Sequence, residues 1–330
     1  MSQIHLAHGA CVAPVVEALK DAGAPVNRLL AQSGLQHFRL DDPNIFVPAE
    51  CFHNFLETVA RRETGPTLPH EIGSRYVLAN MGEFGAEVFA CADLRTACLL
   101  ASRPEARQLS YENVALDVRG RWSALTYSLA MPPGLARSWI ERMAISLIVD
   151  ACRTAAGADW FPAELHVADN NVDGLGEFIS EETVVRCNAP GVEVRFPSEL
   201  MARAMQREDP VTNGAGPGPR LGRTTAARID AMLDSSTHEM VPNLRLIAEL
   251  SDMSPRSMQR LLGDEGVSFF EVADRWRFRR SMRLISDPSV TIREIAESSR
   301  YSHSAHFVRA FKRWTGLTPQ SFRESLPAQP

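Results

Sequence analysis

No run in this 330-residue chain approaches the ~18 consecutive apolar residues that a membrane helix needs. The first stretch, MSQIHLAHGACVAPVVEALKDAG, lacks a basic leading segment and carries charges where a signal peptide is apolar. A cytoplasmic protein with no membrane partner is therefore expected. Its six cysteines (Cys11, Cys51, Cys91, Cys98, Cys152 and Cys187) all precede residue 190 and form no C-x-x-C pair. With no histidines at ligand spacing beside them, they read as reduced thiols rather than a metal site or disulfide framework. His5, His8 and His70 make no metal cluster either. Nucleophile elbow, phosphate loop and H-E-x-x-H are all missing from the sequence, so nothing in it asks for catalysis or a cofactor.

What is present divides unevenly. The formal net charge is -5. From Arg220 to Pro330, 17 Arg and Lys stand against 13 Asp and Glu, leaving +4. The preceding 219 residues hold 18 against 27, or -9. An acidic body with a basic end points to an acidic partner for that end alone, nucleic acid first.

The boundary is REDPVTNGAGPGPRLGRTT, residues 207–225, with three Pro and four Gly in nineteen residues and no apolar periodicity. It reads as a flexible linker between a domain of residues 1–206 and one of residues 226–326. In the first domain, amphipathic helices are expected near 9–22, 25–33 and 48–63, with others between 70 and 110. NVALDVRGRWSALTYSLA alternates on both sides of Arg119-Gly120-Arg121 and predicts a β-hairpin. RSWIERMAISLIVDACRTA returns to helix, and AELHVAD and GVEVRFP predict two further strands. This is an α+β pattern, helices leading and a small sheet closing.

After the linker everything reads helical, and it repeats. Leu244, Ile247 and Ala248 match Ile292, Ile295 and Ala296, each an i, i+3, i+4 trio. Met258-x-Arg260-x-Leu262 then matches Phe307-x-Arg309-x-Phe311, at an offset of 48 to 50 residues. Ser254-Pro255 and Thr318-Pro319 are helix starts, and Ser268…Glu271 and Thr291…Glu294 fit the capping box. Phe269 to Ile285 predicts one connecting helix of ~25 Å at 1.5 Å per residue. Two helix–turn–helix units joined by a linker helix is the economical interpretation.

Such a unit lays its second helix in the DNA major groove. With Met258, Leu261 and Leu262 facing the core, Arg256, Ser257, Gln259 and Arg260 point outward. The types suit base reading, Arg for guanine and Gln for adenine. In the second unit Ser304, Ala305, Val308 and Arg309 are outward, with Lys312 and Arg313 further along. The connecting helix places the two readers about one DNA turn apart, ~34 Å. A plain helical bundle with solvated arginines has the same periodicity, but it does not explain a duplicated, capped unit.

The segments LRLIAELSDMSPRSMQRLLGDEGVSFFEVADRWRFRRSMRLI and TIREIAESSRYSHSAHFVRAFKRWTGLTPQSFR resemble the paired helix–turn–helix domain of the AraC/XylS family of bacterial transcription regulators. That resemblance implies base contacts from Arg256, Gln259, Arg260, Ser304, Ala305 and Arg309. Residues 9–205 resemble more loosely the α+β sensor domain of one subgroup, best at NMGEFG (residues 80–85) and CNAPGVEVRFPSEL (residues 187–200). The family's members bind a small molecule there, form homodimers, and activate promoters through RNA polymerase on the nucleoid. The implied architecture is an α+β N-terminal sensor domain plus an all-α C-terminal domain. Alkylation-repair enzymes carrying this DNA module need a four-cysteine zinc site, which Cys11 and Cys51, alone in the first 90 residues, do not supply.

The sequence departs from the family in the second turn, where Arg300 stands in place of an expected Gly. If its φ is positive, strain of about 1 kcal/mol follows. Ala305 replaces a usual Ser, so the first unit is expected to be the stronger reader. In the N-terminal domain Met81, Phe84, Trp122, Tyr127, Trp139 and Arg142 are candidate pocket residues, though each apolar one suits an ordinary core equally. Arg142 either meets an anionic ligand or pairs with Glu141 or a neighbouring turn. The alternative to an effector-binding domain is one that only dimerises or contacts protein partners.

Overall fold

The computed structural model describes residues 3–62, 68–170, 175–206, 222–237 and 239–326. The chain divides into two compact units, Ile4–Leu221 and Gly222–Pro330. Most of the sequence-predicted linker, residues 207–221, lies outside the described residues, and its last residue, Thr225, opens a helix instead.

The N-terminal unit opens with a short strand, β1 (Leu6–His8), and runs into α1 (Gly9–Asp21) and α2 (Val26–Ser33). β2 (Phe46–Pro48) pairs antiparallel with β1 and leads into α3 (Ala49–Arg62). α4 (Leu68–Arg75), α5 (Gly82–Phe89) and α6 (Leu94–Ala101) follow. The hairpin comes next, β3 (Glu112–Arg119) and β4 (Trp122–Leu129), in register from Glu112↔Leu129 to Arg119↔Trp122. Its two-residue loop begins with Gly120 at φ +62, where a side chain would be strained. α7 (Leu135–Ala156) is the long helix of this unit, and β5 (Glu164–His166), β6 (Val184–Arg186) and β7 (Val192–Pro197) complete a sheet of order β3-β4-β7-β5-β6.

Alternation decides which sheet face is covered. Val192, Val194 and Phe196 of β7 are buried while Glu193 and Arg195 between them are not. The buried face packs on α7, whose Ile140, Met143, Ala144, Ile148 and Cys152 are also buried. The motif NMGEFG has two physical reasons. Gly82 takes φ +55, and a Cβ at Gly85 would lie 1.8 Å from the Leu78 carbonyl oxygen.

The C-terminal unit is helical throughout its described residues: α8 (Thr225–Ser235), α9 (Leu244–Leu250), α10 (Pro255–Asp264), α11 (Phe269–Ile285), α12 (Ile292–Ser298), α13 (Ser304–Thr315) and α14 (Pro319–Ser325). Sequence chemistry marks the ends. Thr224, Asn243, Ser254, Ser268, Thr291 and Thr318 each accept a backbone N–H at a helix start. Both capping boxes form, Ser268 with Glu271 and Thr291 with Glu294. α11 spans 17 residues. α8 docks on it through Arg279, which reaches Asp230 at 2.6 Å and Asp234 at 3.2 Å. The second helix–turn–helix closes over Ile285, Ile295, Ala296, Phe307 and Phe311.

Candidate nucleic-acid interface and an apolar cavity

The two helix–turn–helix units, α9–α10 and α12–α13, repeat down to their hydrogen bonds. Met253 N–H donates to Ala248 O at 2.8 Å, and Tyr301 N–H donates to Ala296 O at 2.9 Å. The preceding residue is left-handed in both turns, Asp252 at φ +49 and Arg300 at φ +63. The positive φ expected at Arg300 is therefore present. The matching position in the first turn is strained far less, because Asp tolerates this region.

On α10, Met258 and Leu262 are buried while Arg256, Gln259 and Arg260 are exposed. Ser257 is partly spent on the helix start: its N–H donates to Ser254 Oγ at 3.0 Å, and the two hydroxyls lie 2.8 Å apart. On α13, Phe307, Ala310 and Phe311 face inward, leaving Ser304, Ala305, Arg309 and Lys312 exposed and Val308 half-buried. Arg313 is exposed, as expected of the outward set, but its charge is shared with α11. Its Nη2 is 2.8 Å from each Asp274 carboxylate oxygen, and Trp314 Nε1 donates to the same group at 2.7 Å. Arg313 thus ties α13 to α11 from the exposed side of the helix. Among the described residues, no carboxylate lies within ion-pair distance of Arg256, Arg260, Arg309 or Lys312.

Arg300 is half-buried, its Nε sealed from solvent without a hydrogen-bond acceptor, and the Ser299 hydroxyl beside it is equally unpartnered. Burial lowers the Arg300 pKa, with Glu239 acting the other way.

In the N-terminal unit a cavity of about 100 Å3 lies between β3–β4 and helices α5, α6 and α7. Phe84 and Tyr127 line it, together with Leu125, Met143, Ala144 and Cys98. The other sequence candidates lie elsewhere. Met81 is fully buried in the packing around Gly85. Trp122 sits at the end of β4 beneath the Arg121 guanidinium, 5.8 Å from its ring centroid. Trp139 is half-buried on α7, outside the cavity wall. Arg142 is also outside it, with Asp169 Oδ2 at 3.8 Å; Glu141 is instead taken by Arg137 Nε at 2.9 Å. The expected Arg142–Glu141 pair is therefore corrected: Arg137 stands one helical turn before Glu141, where an i, i+4 pair meets.

Sequence reasoning missed the polar end of the cavity, Gln108 and Glu112. Glu112 begins β3 on the face it shares with Val114, and only its place in that alternation hints that it turns inward. Its Oε1 accepts from Gln108 N–H at 2.6 Å and its Oε2 from Tyr127 O–H at 3.1 Å. Burial pushes the Glu112 pKa up to about 7, against these hydrogen bonds and the nearby Arg107. Gln108 Nε2 donates to Ala106 O at 3.0 Å, which leaves Oε1 buried and unpartnered.

Two family profiles match. Residues 247–325 fit a helix-turn-helix domain, and residues 23–175 fit the N-terminal arabinose-binding domain of the AraC transcription regulator. The HTH-type transcriptional regulator Rv1395 of Mycobacterium tuberculosis is 25% identical over 323 residues, 93% of each chain. VqsM, an HTH-type transcriptional regulator of Pseudomonas aeruginosa, is 35% identical over 99 residues, 30% of each chain. The crystal structure of the transcriptional regulator CdpR from Pseudomonas aeruginosa aligns over 94% of this chain and 97% of its own, at 19% identity and a TM-score of 0.43. These relatives are regulators and not enzymes, and no helix of the described residues is long and apolar enough to cross a membrane. The chain belongs to the AraC/XylS family of transcription regulators, with an α+β N-terminal domain and an all-α helix–turn–helix domain.

Proposed function

We propose that this protein is a one-component regulator that binds promoter DNA through both helix–turn–helix units and is controlled by a small molecule bound in its N-terminal unit. The observation that carries the reading is the pair of equivalent helix faces, each presenting polar and basic side chains that no carboxylate of the described residues holds. Arg256, Gln259 and Arg260 read one groove segment; Ser304, Ala305, Arg309 and Lys312 meet the next. Ser257 helps hold the start of α10 in place.

The regulator works in the cytoplasm, on the nucleoid, as a homodimer and as an activator that contacts RNA polymerase. Likeness to the family supports those features. The cavity beside Glu112 favours an effector over a purely dimerising domain, because its wall leaves a buried acceptor unsatisfied. An effector that binds one DNA-binding state better than another shifts the population toward it. The test is operator binding by the full chain with and without candidate effectors, read by fluorescence anisotropy. An effector that changes operator affinity supports the reading, and operator affinity indifferent to every compound that binds the protein contradicts it.

A further inference from the structure

The matching family profile is described as arabinose-binding, yet the cavity of this chain is a poor place for a sugar. Alkyl, aromatic and thiol side chains make nearly all of its wall. A pentose buries four hydroxyl groups, and each one left unpaired costs roughly 1–3 kcal/mol. Its wall includes Gln108 and Glu112, and hydrogen bonds join Gln108, Glu112 and the Tyr127 hydroxyl into one cluster.

Both of these are acceptors. The Gln108 amide has its nitrogen engaged by Ala106 O, which fixes the orientation of the group and turns Oε1 toward no donor. The Glu112 carboxyl receives the Gln108 N–H and the Tyr127 hydroxyl, so an ionised carboxylate with about four acceptor positions keeps room for a further donor. The Tyr76 hydroxyl is spent on Cys11 O. Among the described residues, the wall contains no arginine, lysine or histidine. Arg142, the side chain whose charge would suit a ligand carboxylate, stands outside it near Asp169.

We infer that the effector is a compact apolar molecule bearing one hydrogen-bond donor, an amine or an alcohol, whose donor sits between Gln108 Oε1 and the Glu112 carboxyl. The inference rests on the reading of this unit as effector-binding and names the ligand's chemistry. An anionic ligand is disfavoured twice over: it would be desolvated with no cation in the wall to meet it, and its charge would face the Glu112 carboxyl. Size is limited as well. The cavity of about 100 Å3 is smaller than the ~150 Å3 cavity that holds benzene, so a short chain fits as the walls stand and a single ring only with a small shift of them.

The experiment compares matched head groups on two skeletons by thermal shift of the full chain: butylamine, butan-1-ol and butanoate; benzylamine, benzyl alcohol and benzoate; and arabinose. The expected result is that the amines, the alcohols or both raise the midpoint, while the acids and arabinose do not. A shift confined to the amines assigns the donor as a cation on ionised Glu112, and one confined to the alcohols assigns a neutral donor. In the variant Glu112→Gln the Kd of the binding compounds should weaken tenfold or more. Ala144→Leu, which narrows the space without touching the polar end, should weaken the ring compounds more than the chains. If butanoate, benzoate or arabinose shifts the midpoint as far as the amines and alcohols, the ligand class is wrong while the effector reading stands. If none of the seven compounds shifts it, this inference falls, and the effector reading is decided separately by the operator-affinity test.

Discussion

Arg300 is held at φ +63 in a turn that gives its side chain little in return, with Nε buried and unpaired. Glycine adopts that backbone freely, so Arg300→Gly should stabilise the protein by about 1 kcal/mol and raise its melting midpoint by a few degrees. Asp252→Gly, at φ +49 in the equivalent turn, should change stability much less. If Arg300→Gly leaves the midpoint where it was but weakens operator binding, Arg300 is a phosphate contact and not a strained turn. Gly85 is the opposite case. With Leu78 O 1.8 Å from where a Cβ would stand, Gly85→Ala forces helix α5 off its neighbour, and a loss of about 2 kcal/mol or more is expected in urea unfolding. Glu112 supplies a pH dependence. Its folded pKa of about 7 lies above its ordinary 4.5, so the folded state binds the proton more tightly. Stability tied to this group is complete below about pH 4.5 and is lost as pH rises through about 7. Glu112→Gln should flatten that decline, so its midpoint relative to the parent should improve between pH 5 and pH 8.

Elements in this chain end where local chemistry stops them, and that is why the helices were legible. Pro255 and Pro319 behind serine or threonine, and the two capping boxes, marked helix starts within the segments themselves. The hairpin was legible from alternation around Gly120. β1, β2 and β6 are three residues each, too short to show a period, and β1 finds its partner some forty residues away. The exposed faces of α10 and α13 follow from periodicity alone, because a solvent face is the complement of a local apolar stripe. The cavity is not of that kind: its walls come from α5, α6, α7 and the hairpin, and only folding brings Phe84, Cys98, Tyr127 and Met143 together. The Asp274 contact to Arg313 and Trp314 was illegible for the same reason, spanning some forty positions. Because it fixes α13 on α11, Asp274→Ala should cost about 1–3 kcal/mol and loosen binding to the second half of the operator while sparing the first. Half-site variants of the operator measured by anisotropy would check this.

At the scale of the whole molecule, a net charge of -5 conceals two opposite parts, -9 before Arg220 and +4 from there on. The acidic part does not touch the argument for DNA binding, because the basic side chains concerned sit on two short helices. Affinity for DNA should fall steeply with salt, and Lys312→Ala should reduce the slope of log K against log salt by about 1 without changing which operator is preferred. The two units are not expected to contribute equally. Ala305 brings no hydroxyl and Arg300 burdens the second turn, so the first unit is expected to supply more of the specificity.

The most direct measurement is the affinity of the full chain for its footprinted operator, compared with Arg260→Ala and Arg309→Ala at one salt concentration. Two-unit reading predicts that each substitution weakens specific binding by about 1–3 kcal/mol, with Arg260→Ala the larger loss, and leaves the melting midpoint unchanged. If neither substitution moves the operator affinity, α10 and α13 are solvated helices and not readers of DNA.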